Sequence, residues 1–313
     1  MSSVDELQAR PPRVSVGVPV YNGEAYLAQA IESLLAQDFR DIEVVISDNG
    51  STDRTQEICE SFARRDPRVR YFRSDVNRGA TWNFNRVFEL SRGEYFKWQC
   101  YDDLVEPGFV GACVRAHEAA GGRAVLVYPR ARTIGEKGEP LPGFVERSVD
   151  ARHPQAHRRA AHVLKNLTLA SAIYGLIRAG DLRKTRLLGR FAAADYVLLT
   201  EIAALGEIHE IPEVLFLRRV HPKISTYANR STAALLQWFD TSARARRFVV
   251  PTWLWLGVEL ARAARHAPLG AVDRLLCATS TIGIWYWGKF RDFAGKHRRR
   301  LVSVLRPRDV RAR

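Results

Sequence analysis

The sequence predicts an α/β protein, a mostly parallel sheet flanked by helices and followed by a C-terminal helical region. Three observations carry that expectation. Short β-rich runs alternate with helical patterns through the first half of the chain, the rhythm of strands joined by helical crossovers. Polar clusters stand where strands end: PVYNGE after the first, SDNGSTD after the second and YDD after the fourth. In open α/β sheets ligands bind outside the carboxyl ends of the strands, so the three clusters should converge on one cleft. Finally, composition shifts near residue 230, which divides the chain into 13–230 and a basic, aromatic-rich helical region 231–313.

Taken in order, VSVGVPV (14–20) reads as a strand. EAYLAQAIESLLAQ (24–37) has apolar residues at Tyr26, Leu27, Ala30, Ile31, Leu34 and Leu35, which is helical spacing. IEVVISD (42–48) is a second strand ending in Asp48, and a helix over 54–65 follows the turn-rich NGSTD. A short strand at 69–74, the loop DVNRG and a helix to about Leu90 come next. The strand 94–101 then delivers two adjacent carboxylates, Asp102 and Asp103, ahead of Pro107 and Gly108. Beyond it the pattern gives a helix to about Ala120, a strand at 124–129, a Gly/Pro-rich loop from Gly135 to Gly143, helices near 156–166 and 194–205, and a strand at 213–219. Internal repeats and low-complexity segments are absent from the sequence.

The 313 residues, 46% of them hydrophobic, suffice for one large domain or two smaller ones. The polar start, MSSVDELQARPPR, does not read as a signal peptide. Cys59, Cys100, Cys113 and Cys277 lack metal or disulfide spacing, which suggests reduced thiols in the cytosol. Most of the net charge of +14 belongs to the tail, where residues 231–313 hold 16 Lys/Arg against 5 Asp/Glu, a net of +11. Trp238, Trp253, Trp255, Trp285, Tyr286 and Trp287 share that tail with Lys289, Arg291, Lys296 and the arginines 298–300. Its apolar runs fall short of the roughly 18 continuous residues of a membrane span. Aromatic residues beside basic ones suit an interfacial helix on an anionic bilayer, and equally a helical subdomain packed on the main domain.

Two negative charges at one strand end repel, and one is driven toward protonation unless something positive sits beside them. A solvated turn with a helix N-cap from Leu104 onward would also account for the pair. Similar alternatives stand elsewhere: an Asx-turn for DNGSTD, favoured for Asp53, a plain turn for NRG (77–79), and an N-cap for Asp195 in AADYVLL. In RRVHPKIS, strand alternation puts Arg218 and Arg219 on opposite faces, so at most one meets a ligand in the cleft. His153, His157 and His162 form no metal constellation.

Taken together, VGVPVYNGEAYLAQAIESLLAQ, EVVISDNGSTDRT, NRG, YDDL, AADYVLLTEIAALGE and LRRVHPKIS resemble glycosyltransferase family 2, with the GT-A fold, over residues 13–225. Six motifs recurring in order make the resemblance specific, where any one alone would be weak. It implies an inverting, single-displacement transfer of a sugar from a nucleotide diphosphate. Asp103 would bind a divalent ion, Mn2+ or Mg2+, acting as a Lewis acid on the leaving diphosphate. Asp102 would lie near the ribose, and His221 would be a further metal or diphosphate contact. Tyr101 stands where family members often carry an additional Asp, which implies a sparse metal site. The base would lie against Pro19, Val20, Tyr21 and Asn22, with Asp48 accepting from its ring N–H. Asn49 replaces the second Asp of many relatives. Arg78 would approach the nucleotide, and Asp195 would be the general base.

A sugar nucleotidyltransferase would need a Gly-rich basic loop where PVYNGEAYL stands, and a dinucleotide-dependent oxidoreductase a G-x-G-x-x-G after the first strand; both are missing. A non-catalytic membrane-surface or nucleic-acid binding protein on a degenerate transferase fold is the alternative from another class, supported by the basic tail. Against it, Asp48, Asp103 and Asp195 are all present, and nucleic acid is not the expected partner. The expectation is a cytosolic or inner-leaflet enzyme of polysaccharide, glycolipid or other cell-surface glycoconjugate synthesis. Its donor is UDP-linked before deoxythymidine- or guanosine-linked, and its acceptor a glycan or a lipid-linked glycan.

Overall fold

The computed structural model describes residues 10–142, 146–222, 232–241 and 252–305. Strands β1 (Val14–Val20), β2 (Ile42–Asp48), β3 (Val69–Arg73), β4 (Tyr95–Trp98), β5 (Leu104–Val105), β6 (Ala124–Ile134), β7 (Leu176–Arg178) and β8 (Glu207–Arg219) form one sheet in the order β3-β2-β1-β4-β7-β6-β8-β5. β1 (Val14–Val20) and β2 (Ile42–Asp48) are buried along their whole lengths, as strands covered on both faces must be. β1 pairs in parallel with β2 on one side and with β4 (Tyr95–Trp98) on the other, while β3 (Val69–Arg73) extends the edge beyond β2. The chain order therefore reverses at β1, and the carboxyl ends of β1, β2 and β4 open at that switch point. Helices α1 (Leu27–Leu35), α2 (Thr55–Arg65), α3 (Ala80–Glu89) and α4 (Phe109–Ala119) make the connections.

Three features differ from the sequence expectation. The chain after Asp103 is not a helix: Leu104–Val105 forms β5, antiparallel to Leu217 and Phe216. α4 starts only at Phe109, after Pro107, because a residue before proline is pushed away from helical geometry. The cap reading of Asp102 and Asp103 is thereby removed. Secondly, β6 continues to Ile134 beside β8 (Glu207–Arg219), absorbing Pro129 through register shifts at Pro129/Arg130 and Arg130/Ala131. Thirdly, a 3-10 turn (Ser171–Tyr174) and the short strand β7 (Leu176–Arg178) fill the gap between β4 and β6, and both were too short to show a period.

α5 (Ala156–Asn166), α6 (Ala179–Leu182) and α7 (Ala194–Leu205) complete the first region, and α8 (Thr232–Phe239), α9 (Thr252–His266) and α10 (Ala271–Leu305) follow. Leu256, Leu260 and Ala263 of α9 are buried against Leu164 of α5 and Val197 of α7. Cys277 of α10 is buried with Ala156, Ala204 and Ala264. Arg186 ties α7 to α9, meeting Glu201 at 2.6 Å and Glu259 at 2.8 Å. Among the described residues, no helix is long and apolar enough to cross a membrane. The side chains of Trp253, Lys289, Arg291, Lys296 and residues 298–300 lie outside the described residues.

Candidate active site

The ends of β1 and β2 are stitched into one rim. Asn22, in a left-handed conformation (φ 52°), accepts the Thr52 amide on Oδ1 at 2.9 Å and donates its own amide to Ser51 Oγ. Pro19 and Val20 are buried, so they serve this rim through their backbone, while Tyr21 and Asn22 are exposed on it. Asp48 is fully buried, and its carboxylate takes the Ser51 amide (2.8 Å), the Tyr71 hydroxyl (2.9 Å) and Arg73 Nε (3.2 Å). Asp53 accepts the Thr55 amide at 3.0 Å, the Asx-turn expected of it. Asn49 receives the Arg78 amide and donates to Asn77 Oδ1 and the Gly79 carbonyl, fixing the NRG loop. Gly79 sits at φ 88°, where a Cβ would come within 2.6 Å of the Phe239 carbonyl; the close approach is to the end of α8. Arg78 is exposed and lies over the Trp82 ring.

At the end of β4 the two carboxylates divide their contacts. Asp103 is buried and accepts the Arg219 amide at 2.8 Å. Burial first, and then Asp102, hold its carboxyl well above the usual carboxylate range. Asp102 meets His221 Nε2 at 3.0 Å, and His221 is buried against the Tyr26 ring, not solvated. The alternation read in RRVHP separates the arginines. Arg219 is buried, its guanidinium donating to the carbonyls of Asp102, Gly135 and Glu136 and to Gln29 Oε1. Arg218 faces the other way and lines a cavity of about 400 Å³.

Asp195 lines that same cavity, with Trp98, Tyr174 and Trp238. The helix-capping position falls to Ala193, in left-handed geometry, so Asp195 sits inside the first turn and accepts the Tyr196 amide at 3.0 Å. Burial raises its carboxyl above the ordinary value, with Arg218 opposing. Tyr174 connects the two halves: its hydroxyl lies 3.2 Å from Cys100 Sγ, and Asp103 and Asp195 both bear on it electrostatically.

The ligand atoms of Cys100, Asp102 and Asp103 lie within 4.8 Å of one another. Burial and the two carboxylates keep the Cys100 thiol protonated. Two hard oxygen donors with an imidazole beside them fit a magnesium- or manganese-type ion better than a thiolate-seeking one. Four residues of the site escaped the sequence reading: Cys100, Tyr174, Lys97 and Gln99. Buried Lys97, pushed down to about 7 by desolvation, donates to the Trp98 carbonyl and Gln99 Oε1. Gln99 Nε2 in turn holds the Asp103 carbonyl at 2.8 Å. A lysine inside the apolar run YFKW was the available signal, since a buried ammonium has to be hydrogen-bonded.

The sheet is mixed, with parallel strands at the switch point where the carboxylates gather, and the family described as Glycosyl transferase family 2 matches residues 15–178. The chain belongs to that family. It is 28% identical over 212 residues to the chondroitin synthase of Escherichia coli, covering 68% of this chain and 29% of that one. An uncharacterized glycosyltransferase of Rickettsia typhi is 33% identical over 130 residues, 42% of this chain and 40% of the relative. The chain thus spans well under two thirds of the length of these curated relatives. Among solved structures, S. aureus TarS 1–349 in complex with UDP superposes with a TM-score of 0.54 at 16% identity, covering 88% of this chain and 91% of that one. A mannosyltransferase from Pyrobaculum calidifontis in complex with GDP-Man and Mn2+ gives 0.50 at 15% identity, covering 93% and 81%. At such identities these likenesses establish the GT-A fold.

Proposed function

We propose that this glycosyltransferase moves a sugar from a nucleotide diphosphate sugar, UDP-linked, to an acceptor hydroxyl by single displacement with inversion. One observation supports the reading: Asp103, next to the Asp102–His221 pair, and Asp195, in the cavity that Arg218 lines, both bear on Tyr174 and both feel Arg218. Asp103 would hold Mn2+ or Mg2+ and Asp102 would lie near the ribose, while His221, 3.0 Å from Asp102, would be a further contact to the metal or the diphosphate. The ion supplies charge stabilisation for the departing diphosphate. Tyr21 and Asn22, on the exposed rim, meet the base over the backbone of Pro19 and Val20. Asp48 takes the ring N–H in exchange for its longest contact, to Arg73 at 3.2 Å. Arg78, exposed on the NRG loop, approaches the nucleotide. Asp195, its basicity raised by burial, accepts the acceptor proton as the hydroxyl attacks.

The chain's acceptor is a glycan, free or lipid-linked, in the synthesis of a cell-surface polysaccharide or glycoconjugate. The enzyme works in the cytoplasm or against the inner face of the membrane, where the basic region 231–313 meets anionic lipid. Isothermal titration of UDP, dTDP and GDP with and without manganese, beside Asp103→Asn, tests the site. Metal-dependent binding of UDP that the variant loses is expected. Failure to bind any nucleotide would sink the transferase reading.

A further inference from the structure

A second cavity, also of about 400 Å³, lies behind the loop 167–172 and shares Thr168 with the cavity of Asp195. That loop is a wall pinned from both sides. On the Asp195 side the Tyr196 hydroxyl donates to the Thr168 carbonyl, and on the far side the Ser171 amide donates to Glu146 Oε2 at 3.2 Å. Ala170 between them is held in left-handed geometry (φ 58°). Two buried hydroxyls of the wall, Thr168 Oγ1 and Ser171 Oγ, have no hydrogen-bond partner among the described residues.

The chemistry of the second cavity selects its occupant. Its charges balance, Glu146 and Glu210 against Arg130 and Arg147, and Arg130 already pairs with Glu210 at 2.9 Å. A phosphate or a cation would find no net field there. A neutral ligand dense in hydroxyl groups would meet the carboxylate acceptors of Glu146 and Glu210, the hydroxyl of exposed Ser148 and the apolar side chain of Val214. We propose that this cavity is an acceptor subsite holding a neutral sugar unit next to the one glycosylated at Asp195. The acceptor is then an oligosaccharide or glycoside of at least two sugar units that passes over the Thr168 wall. The inference rests on the reading of Asp195 as the base on the acceptor side.

The test is an array of defined glycans of one to six sugar units, probed with the full chain plus UDP and manganese, then isothermal titration of the best binder. Binding of a glycan of two or more units at least ten-fold tighter than its terminal monosaccharide is expected. Glu146→Gln replaces a carboxylate acceptor in the lining by a weaker amide one and should weaken that glycan about five-fold, the difference between a charged and a neutral hydrogen bond. Val214→Trp, on the exposed rim of the cavity, should block it and erase the length preference. Both variants should bind UDP as the wild type does. Equal affinity for long and short glycans, capture of no glycan at all, or a length preference that both variants keep would overturn the subsite. UDP binding in those cases leaves the transferase reading standing, whereas loss of UDP binding by the wild type removes both.

Discussion

Asp195 is the residue on which burial and function pull in opposite directions. Its carboxyl is raised by desolvation, so protonation is favoured in the folded chain relative to the unfolded one, whose value is about 3.9. The sign of the linkage follows. The contribution of Asp195 to stability is fully present below the unfolded value and is lost as pH rises through the folded one. Asp195→Asn cannot titrate, so its melting temperature should match the wild type near pH 4 and exceed it near neutrality; thermal unfolding across that range measures this. If the carboxylate is the general base, the same variant should lose about 10²–10⁴ in kcat while still binding UDP. The acid limb of the wild-type rate profile should lie above the ordinary carboxylate range. A variant less stable at every pH would mean that Asp195 holds the helix start together. The sequence marked this residue, and the repulsion between Asp102 and Asp103, because charge at a strand or helix end is visible in one dimension. Tyr174 and Cys100, which join the two sites, were not legible, since a hydroxyl and a thiol 74 positions apart meet only through the sheet.

At the scale of elements, β8 carries two opposite tasks in adjacent residues. Alternation made it readable that Arg218 and Arg219 diverge; which of them faces the cavity depended on the register, Thr133 beside Arg218 and Ile134 beside Arg219. Arg219 clamps the carbonyls of Asp102 and Glu136 at 2.8 and 2.7 Å, joining the carboxylate turn to the loop after β6. Arg219→Met would strand those carbonyls and should cost about 3 kcal/mol, about 5 °C in melting temperature for a chain of this size. It should also weaken manganese-dependent UDP binding, because the Asp102–Asp103 turn loses its brace. Arg218→Met, one residue away on the cavity side, should leave stability within about 0.5 kcal/mol and lower turnover. A reversed pattern in paired melting and rate measurements would exchange the roles assigned to them. The short strand β5 and the turn at Ser171–Tyr174 lay beyond sequence reading for a related reason: two to four residues show no period, and only pairing with β8 or packing beneath β6 defines them.

The whole molecule depends on how the C-terminal helices attach. Leu256 and Leu260 are buried against Leu164 and Val197, and Glu259, itself buried, completes the ion pairs of Arg186. Cutting the chain to residues 13–230 would expose that apolar face and leave Arg186 with Glu201 alone. Exposed apolar patches of this kind drive association. The shortened chain should therefore precipitate or melt well below the full one, with increased binding of a hydrophobic dye. Ending the chain at Lys289 is a different change. Among the described residues the contacts with α5, α7 and α9 reach Tyr286, whose hydroxyl donates to the Leu254 carbonyl, so they remain, while nine Lys/Arg and only two Asp are removed. This second truncation should melt as the full chain does. If the basic segment holds the enzyme at an anionic surface, it should also lose sedimentation with vesicles containing phosphatidylglycerol, binding that in the full chain falls steeply with added salt. Equal sedimentation of the two at low salt would move the membrane contact to the aromatic faces of α9 and α10. Absence of sedimentation in both would confine the tail's charge to solubility.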